Sequence, residues 1–167
     1  MPTPDTYLTG RHYGLAGINH AALRNCIGNK CFSVHALALE AGDKNDIQTT
    51  SAVLYSINGV NFTKSTISDL NQTVTDFYGD TATQAAATKC WYVYTLNAGG
   101  DVNVYKGADD ETGDLPGNPE DECAFGLLSI ITTTVSFTMG TEDYDTASFT
   151  EVFYDLTCLP PAPPATL

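Results

Sequence analysis

Residues 53–64 read VLYSI-NG-VNFTK, two alternating runs joined by Asn58-Gly59. This unit constrains the fold more than any other stretch of the chain. A two-residue hairpin loop needs φ > 0 at both central positions, and Asn-Gly adopts that conformation at the least steric cost. The loop length also sets the register: Ile57 faces Val60, and Tyr55 faces Phe62. Such cross-strand pairs each stabilise a hairpin by roughly 0.2–1 kcal/mol. An antiparallel hairpin is therefore expected here whatever the rest of the chain does.

The same period of two recurs along the chain. In residues 31–39 (CFSVHALAL), Phe32, Val34, Ala36 and Ala38 share one face, and Ser33, His35, Leu37 and Leu39 the other. Both faces are fairly apolar, which predicts a buried strand. Residues 40–46 (EAGDKND) read as a polar turn. Residues 90–105 form a second hairpin, in which CWYVYTL puts Cys90, Tyr92, Tyr94 and Leu96 on one face and Trp91, Val93 and Thr95 on the other. NAGG turns the chain, and residues 101–105 return. Residues 123–131 predict a central apolar strand, 135–139 a shorter one and 149–156 the last. Residues 69–75 suggest a weak strand, and 81–88 (TATQAAAT) a helical turn or a loop.

Helical spacing occurs only before residue 31. In residues 18–26 (INHAALRNC), Asn19 offers an N-cap, Ala22, Leu23 and Cys26 form a short stripe, and Gly28 ends it. The PPAPP run at 160–164 cannot join a sheet and predicts an extended polyproline segment. The expected architecture is all-β, a sandwich or barrel built from hairpins. An N-terminal arm (1–30) with a short helix precedes the β domain (31–158), and a proline-rich tail (159–167) follows it.

Charge narrows the function. The chain of 167 residues carries 20 Asp plus Glu against 7 Lys plus Arg, a net of −13. Residues 107–167 hold 12 acids and no base, whereas residues 1–106 hold 8 acids and all 7 bases. Phosphate backbones and anionic membranes are met by Lys and Arg, so neither nucleic acid nor a membrane surface is expected as partner. No apolar run approaches the length of a membrane span. The apolar fraction of 43% argues against disorder. The opening MPTPDTYLTGRH lacks the basic and apolar regions of a secretory signal, so synthesis in the cytoplasm is expected. The acids of 107–122, of the 140–145 turn and of the last strand predict one negative, loop-rich face.

Catalytic chemistry has little to stand on. The histidines are His12, His20 and His35, with no G-x-S-x-G or H-E-x-x-H around them. His35 reads as a hydrogen-bonded interior histidine. Cys90-Trp91 has a faint likeness to protease Cys–Trp pairs without their surroundings. Cys26 and Cys31 are spaced like half a zinc site, but no second pair follows; buried thiols are expected for most of Cys26, Cys31, Cys90, Cys123 and Cys158, with a Cys26–Cys31 disulfide as the alternative. The acids 109–111, 120–122 and 142–145 match no calcium loop and read as solvated charge. Asn61-Phe62-Thr63 and Asn71-Gln72-Thr73 match the glycosylation pattern by chance on this reading. No cofactor and no enzymatic activity are expected.

The order of motifs carries more. YSINGV-x-F-x-K is followed by WYVYTLNAGGDV, a Lys-Gly exit, an acidic Leu-Pro linker, FGLLSI, then VSFT-x-GT-x-D-x-D and F-x-x-VFYDL. Over residues 45–158 this order resembles structural proteins of tailed-bacteriophage virions, of the head-decoration (cement) and head-fibre type. The resemblance implies a non-enzymatic protein, made in the host cytoplasm and placed on the capsid exterior. It also implies the major capsid protein as partner and a homo-oligomer, trimer or dimer. The arm is the expected docking element. It carries three of the bases, Arg11, Arg24 and Lys30, beside Tyr7, Tyr13, Leu15 and Ile18. The alternative is a receptor- or carbohydrate-binding module of a tail fibre or adhesin, with Trp91, Tyr92 and Tyr94 stacking on sugars.

Overall fold

The computed structural model describes residues 29–77, 81–109, 115–116 and 119–157. In chain order its strands are β1 (Lys30–Cys31), β2 (Leu37–Leu39), β3 (Asp46–Thr49), β4 (Val53–Ile57), β5 (Val60–Lys64), β6 (Leu70–Asn71), β7 (Asp76–Phe77), β8 (Lys89–Asn97), β9 (Val102–Lys106), β10 (Glu122–Thr132) and β11 (Phe149–Asp155). Among the described residues there is no helix. The strands form three sheets, ordered β1-β4-β5, β2-β3-β6 and β11-β10-β8-β9-β7. Every pairing is antiparallel except that of β7 with β9. The arrangement is sandwich-like with open sheet edges, not a closed barrel. The arm with its expected helix, and the proline-rich tail, lie outside the described residues.

The Asn58-Gly59 turn forms as its dipeptide dictates. Both residues have positive φ, 51° and 81°. Ile57 pairs with Val60 and Tyr55 with Phe62, whose rings stack at 5.4 Å. The second hairpin joins β8 to β9, and β10 lies centrally between β8 and β11. The inner positions Cys90, Tyr92, Tyr94 and Leu96 are all fully buried. They share one core with Phe125, Leu128 and Ile130 of β10, with Val53 and Tyr55 of β4, and with Ile47 of β3. Burying side chains of this size contributes about 1.5–3 kcal/mol each. Val93 and Thr95, on the other face of β8, are buried as well, so the alternation there is of shape rather than of exposure.

Three expectations need correction. Residues 31–39 are not one strand. β1 ends at Cys31 and β2 begins at Leu37, with Ala36 at φ 50° between them. A left-handed Ala ends a strand, and the Asp155 carboxylate provides the reason, as described below. Residues 135–139 make only one isolated bridge, Phe137 with Gln84. The fully buried Gln84 side chain donates to the Ile130 and Thr88 carbonyls, so of the two alternatives for 81–88 the loop is the one formed, pinned across the sheet. The expected strand at 69–75 shrinks to β6, pairing with β3.

At Gly126 two sheets approach closely. A Cβ there would sit 2.3 Å from Leu37 Cδ2. It lies at the register shift between β10 and β8, beside Leu37 of β2.

Candidate functional site

Of the seven residues expected to dock, Tyr7, Arg11, Tyr13, Leu15, Ile18 and Arg24 lie outside the described residues. Lys30 is half-buried in β1, opposite Ser56 of β4. The residue before it fixes where the arm leaves the body. The Asn29 amide donates to the Glu120 and Glu122 carbonyls, the latter at 2.7 Å. Its Oδ1 accepts the Asn58 N–H at 2.9 Å. One side chain thus ties the arm root to the start of β10 and to the tip of the β4–β5 hairpin.

An apolar groove of about 430 Å³ opens on this sheet, lined by Phe32, Leu54, Tyr55, Asn61, Phe62 and Thr63. Phe32 is anchored by its N–H to the Leu54 carbonyl at 2.7 Å. Val34, Leu54 and Val60 nearby in the β1-β4-β5 region are 63%, 45% and 57% exposed. β5 is the sheet's edge strand, with only β4 beside it. Exposed apolar side chains on an unpaired edge are features that docking surfaces use.

A second constellation has the residue types of a thiol hydrolase. Cys31 Sγ lies 3.9 Å from His35 Nδ1, and His35 Nε2 lies 3.2 Å from Asp155 Oδ1. The Nε2–Asp155 approach has ion-pair distance without hydrogen-bond alignment. Nδ1 is also 3.1 Å from the Ser33 carbonyl. The imidazole is fully buried and packs on Phe125 at 5.3 Å, and Cys31 is 3% exposed. A substrate carbonyl has no route to this sulfur in the described structure. Asp155 instead acts on the backbone. It accepts the N–H groups of His35, Ala36 and Leu37 at 3.2, 2.8 and 2.8 Å. Three successive N–H groups converging on one carboxylate make an anion nest, and Ala36 takes its left-handed φ to close it.

The remaining acid and thiol candidates are engaged in similar ways. Cys90 is fully buried, and burial pushes its thiol up to about 12 despite the Lys106 charge. A thiol held protonated is a poor nucleophile. Asp109 pairs with the buried Lys106 at 2.5 Å and accepts the Ala85 N–H at 2.8 Å. Glu122, 7% exposed, accepts from Thr95 Oγ1, from the Asn103 amide at 2.7 Å and from the Tyr105 hydroxyl at 3.0 Å. Glu142 accepts the Thr138 N–H at 2.6 Å, and Asp145 pairs with Lys44 at 3.0 Å. Four acids of the last third, Asp109, Glu122, Glu142 and Asp155, are therefore structural acceptors, whereas Asp121, Asp143 and Asp145 are exposed.

The aromatic candidates divide. Tyr92 and Tyr94 are fully buried and do not reach a ligand. Trp91 is half-buried, 5.8 Å from Tyr154, with Lys89 Nζ 4.6 Å from the indole centroid. Sequence reasoning missed Asn29, the groove residues Phe32 and Leu54, and the Asp155 nest. Leu54 carried a usable signal, an apolar residue on the outward phase of a strand whose other phase holds Val53, Tyr55 and Ile57.

The chain matches no protein-family model, no curated protein and no solved structure.

Proposed function

We propose that the chain is a non-enzymatic capsid decoration (cement) protein of a tailed phage. On this reading it is made in the host cytoplasm and binds the major capsid protein on the capsid exterior, stabilising the shell as a dimer or trimer. The arm, with Tyr7, Arg11, Tyr13, Leu15, Ile18, Arg24 and Lys30, inserts into the shell. The observation that carries this reading is the geometry at Asn29. It roots the arm on the same sheet that bears the exposed apolar groove, so arm and groove meet one surface together. The ordered motif resemblance over residues 45–158 supports the partner class. The direct test is co-sedimentation with purified expanded shells. Wild type should pellet with shells, deletion of residues 1–28 should abolish this, and Leu54→Ser should weaken it at least tenfold with the melting temperature unchanged. Unaltered binding by the truncated protein would overturn the proposal.

The Trp91–Tyr154 pair favours a second reading, a carbohydrate-binding module of a tail fibre or adhesin. Tyr154 is 45% exposed, and a surface aromatic pair suits a sugar face. A glycan array decides between the two. Binding lost on Trp91→Ala, with no affinity for shells, would select the fibre reading.

A further inference from the structure

We propose that Glu40, Asp46 and Asp69 form a binding site for a divalent cation of the calcium class. The three come from separate parts of the chain. Glu40 follows β2, Asp46 opens β3, and Asp69 precedes β6. The sheet brings them together, since Leu39 pairs with Ile47 and Asp46 with Asn71. One carboxylate oxygen of each lies within 4.8 Å of the other two. Three like charges at this separation repel one another, and among the described residues no Lys pairs with any of them. Lys44, in the same turn, is held by Asp145 at 3.0 Å.

Asp46 is the observation that points to a ligand. It is only 7% exposed, and its Oδ1 is buried with no hydrogen-bond partner among the described residues. A buried carboxylate is normally paired, hydrogen-bonded or metal-bound. Among the described residues no Lys, Arg or His pairs with Asp46 and its Oδ1 accepts no hydrogen bond, while the carboxylate lies with the two others. Glu40 is oriented for the same purpose. Its Oε2 accepts the Asp69 N–H at 2.8 Å, with Asp69 held at φ 51°.

The donor set selects the metal class. All three donors are hard oxygens, with no imidazole or thiolate among them, which suits calcium or magnesium rather than zinc. Two oxygens on opposite sides of calcium are about 4.6–5.2 Å apart, against about 4.0–4.2 Å for magnesium. Oxygens lying within 4.8 Å of one another can reach one calcium ion, whose flexible coordination tolerates a range of separations better than the strict octahedron of magnesium does. The site is half exposed, so water supplies the remaining ligands. A bound ion would clip the 40–46 turn to the segment before β6, at one end of the β2-β3-β6 sheet.

The test uses the full chain, stripped with chelator. Calcium titration by calorimetry should show one site, with a Kd of about 0.1–1 mM as in modestly rigid modules. In 10 mM calcium the melting temperature should rise by about 5 °C over the chelated protein. Magnesium at 10 mM should give less than half that rise. Asp46→Asn and Glu40→Gln should each remove the calcium shift, while Asp145→Asn should keep it. In chelator, Asp46→Asn should melt at or above wild type, because it removes an unpaired buried charge. If Asp46→Asn does not fold, Glu40→Gln, at a half-buried position, carries the test. Absence of binding heat and of any shift in the wild type overturns the proposal. So does a calcium shift retained in the variants, and an equal response to magnesium overturns the calcium assignment.

Discussion

The Asp155 carboxylate accepts the Ala36 N–H at 2.8 Å across 119 positions of sequence. With the N–H groups of His35 and Leu37, this contact fastens the last strand of the five-stranded sheet to the loop between β1 and β2. Asp155→Ala strands three donors. Each loss of a charge-assisted hydrogen bond is worth roughly 1.5–3 kcal/mol, part of it recovered from water in this half-exposed loop. A net loss of about 3 kcal/mol is expected by urea denaturation, with Asp155→Asn losing about half of that because one acceptor oxygen remains. Equal stability of the alanine variant and wild type would exclude the nest as a structural element.

Gly126 and Leu37 form a second long-range lock. Adding a methyl at Gly126 places it 2.3 Å from Leu37 Cδ2, inside a buried contact. Gly126→Ala should cost about 1–3 kcal/mol by overpacking, and Leu37→Ala about 2–5 kcal/mol by cavity formation. The double variant should lose less than the sum, by about 1 kcal/mol or more, because the new methyl occupies space the leucine vacates. Additive losses in a double-mutant cycle would contradict the contact.

These two locks show what sequence periodicity reaches and what it does not. The Asn58-Gly59 hairpin was legible because turn conformation, register and the pairing of Tyr55 with Phe62 are all local. The alternation in β8 was legible for the same reason. The 31–39 strand was misread because its conformation is set by an acceptor at residue 155, which no window contains. The acids misled in a related way. Asp109, Glu122, Glu142 and Asp155 look like solvated surface charge in sequence, yet each accepts a specific N–H, O–H or Lys proton. The Glu40–Asp46–Asp69 cluster was invisible because sheet pairing, not spacing, assembles it. The groove lay in plain sight at Leu54, but an exposed apolar residue on one strand phase is read as a surface only once β5 is known to be an edge.

Alkaline pH should unfold the protein earlier than a chain of ordinary tyrosines and cysteines. Burial is the first cause in each case. It pushes Cys90 from 9.0 up to about 12, and Tyr144 from 10.0 up to about 12, with the Asp46 charge adding to the latter. Tyr105 rises to about 12 through burial and then its hydrogen bond to Glu122. Groups whose pKa is raised in the folded state stabilise it fully below their unfolded pKa, and that stability is lost as pH rises. Stability should therefore be flat through neutral pH on account of these groups, and fall from about pH 9 toward 12. Melting curves at stepped pH check the direction. Alkylation with peptide mapping gives the residue-level measure: Cys90 should resist iodoacetamide at pH 8 in the native protein and react in denaturant. Rapid native labelling of Cys90 would contradict its burial.

Half-buried Asn29 makes the arm root sensitive to mutation. Its amide satisfies the Glu120 and Glu122 carbonyls and its oxygen receives the Asn58 N–H. Asn29→Ala removes all three bonds, and at about 0.5–1.5 kcal/mol each, discounted for solvent, a loss of about 1–2 kcal/mol is expected. Asn29→Asp keeps the acceptor for Asn58 but turns a carboxylate toward two carbonyl oxygens, so it should be at least as destabilising as alanine. The same bond holds the Asn58 N–H at the turn, so hydrogen exchange at the Asn58 amide should quicken in the alanine variant but less in the aspartate one. Thermal melts of the three proteins, read beside that amide, separate the contributions. An aspartate variant as stable as wild type would show that the two carbonyls do not need the amide, and the arm would then be rooted by β1 alone.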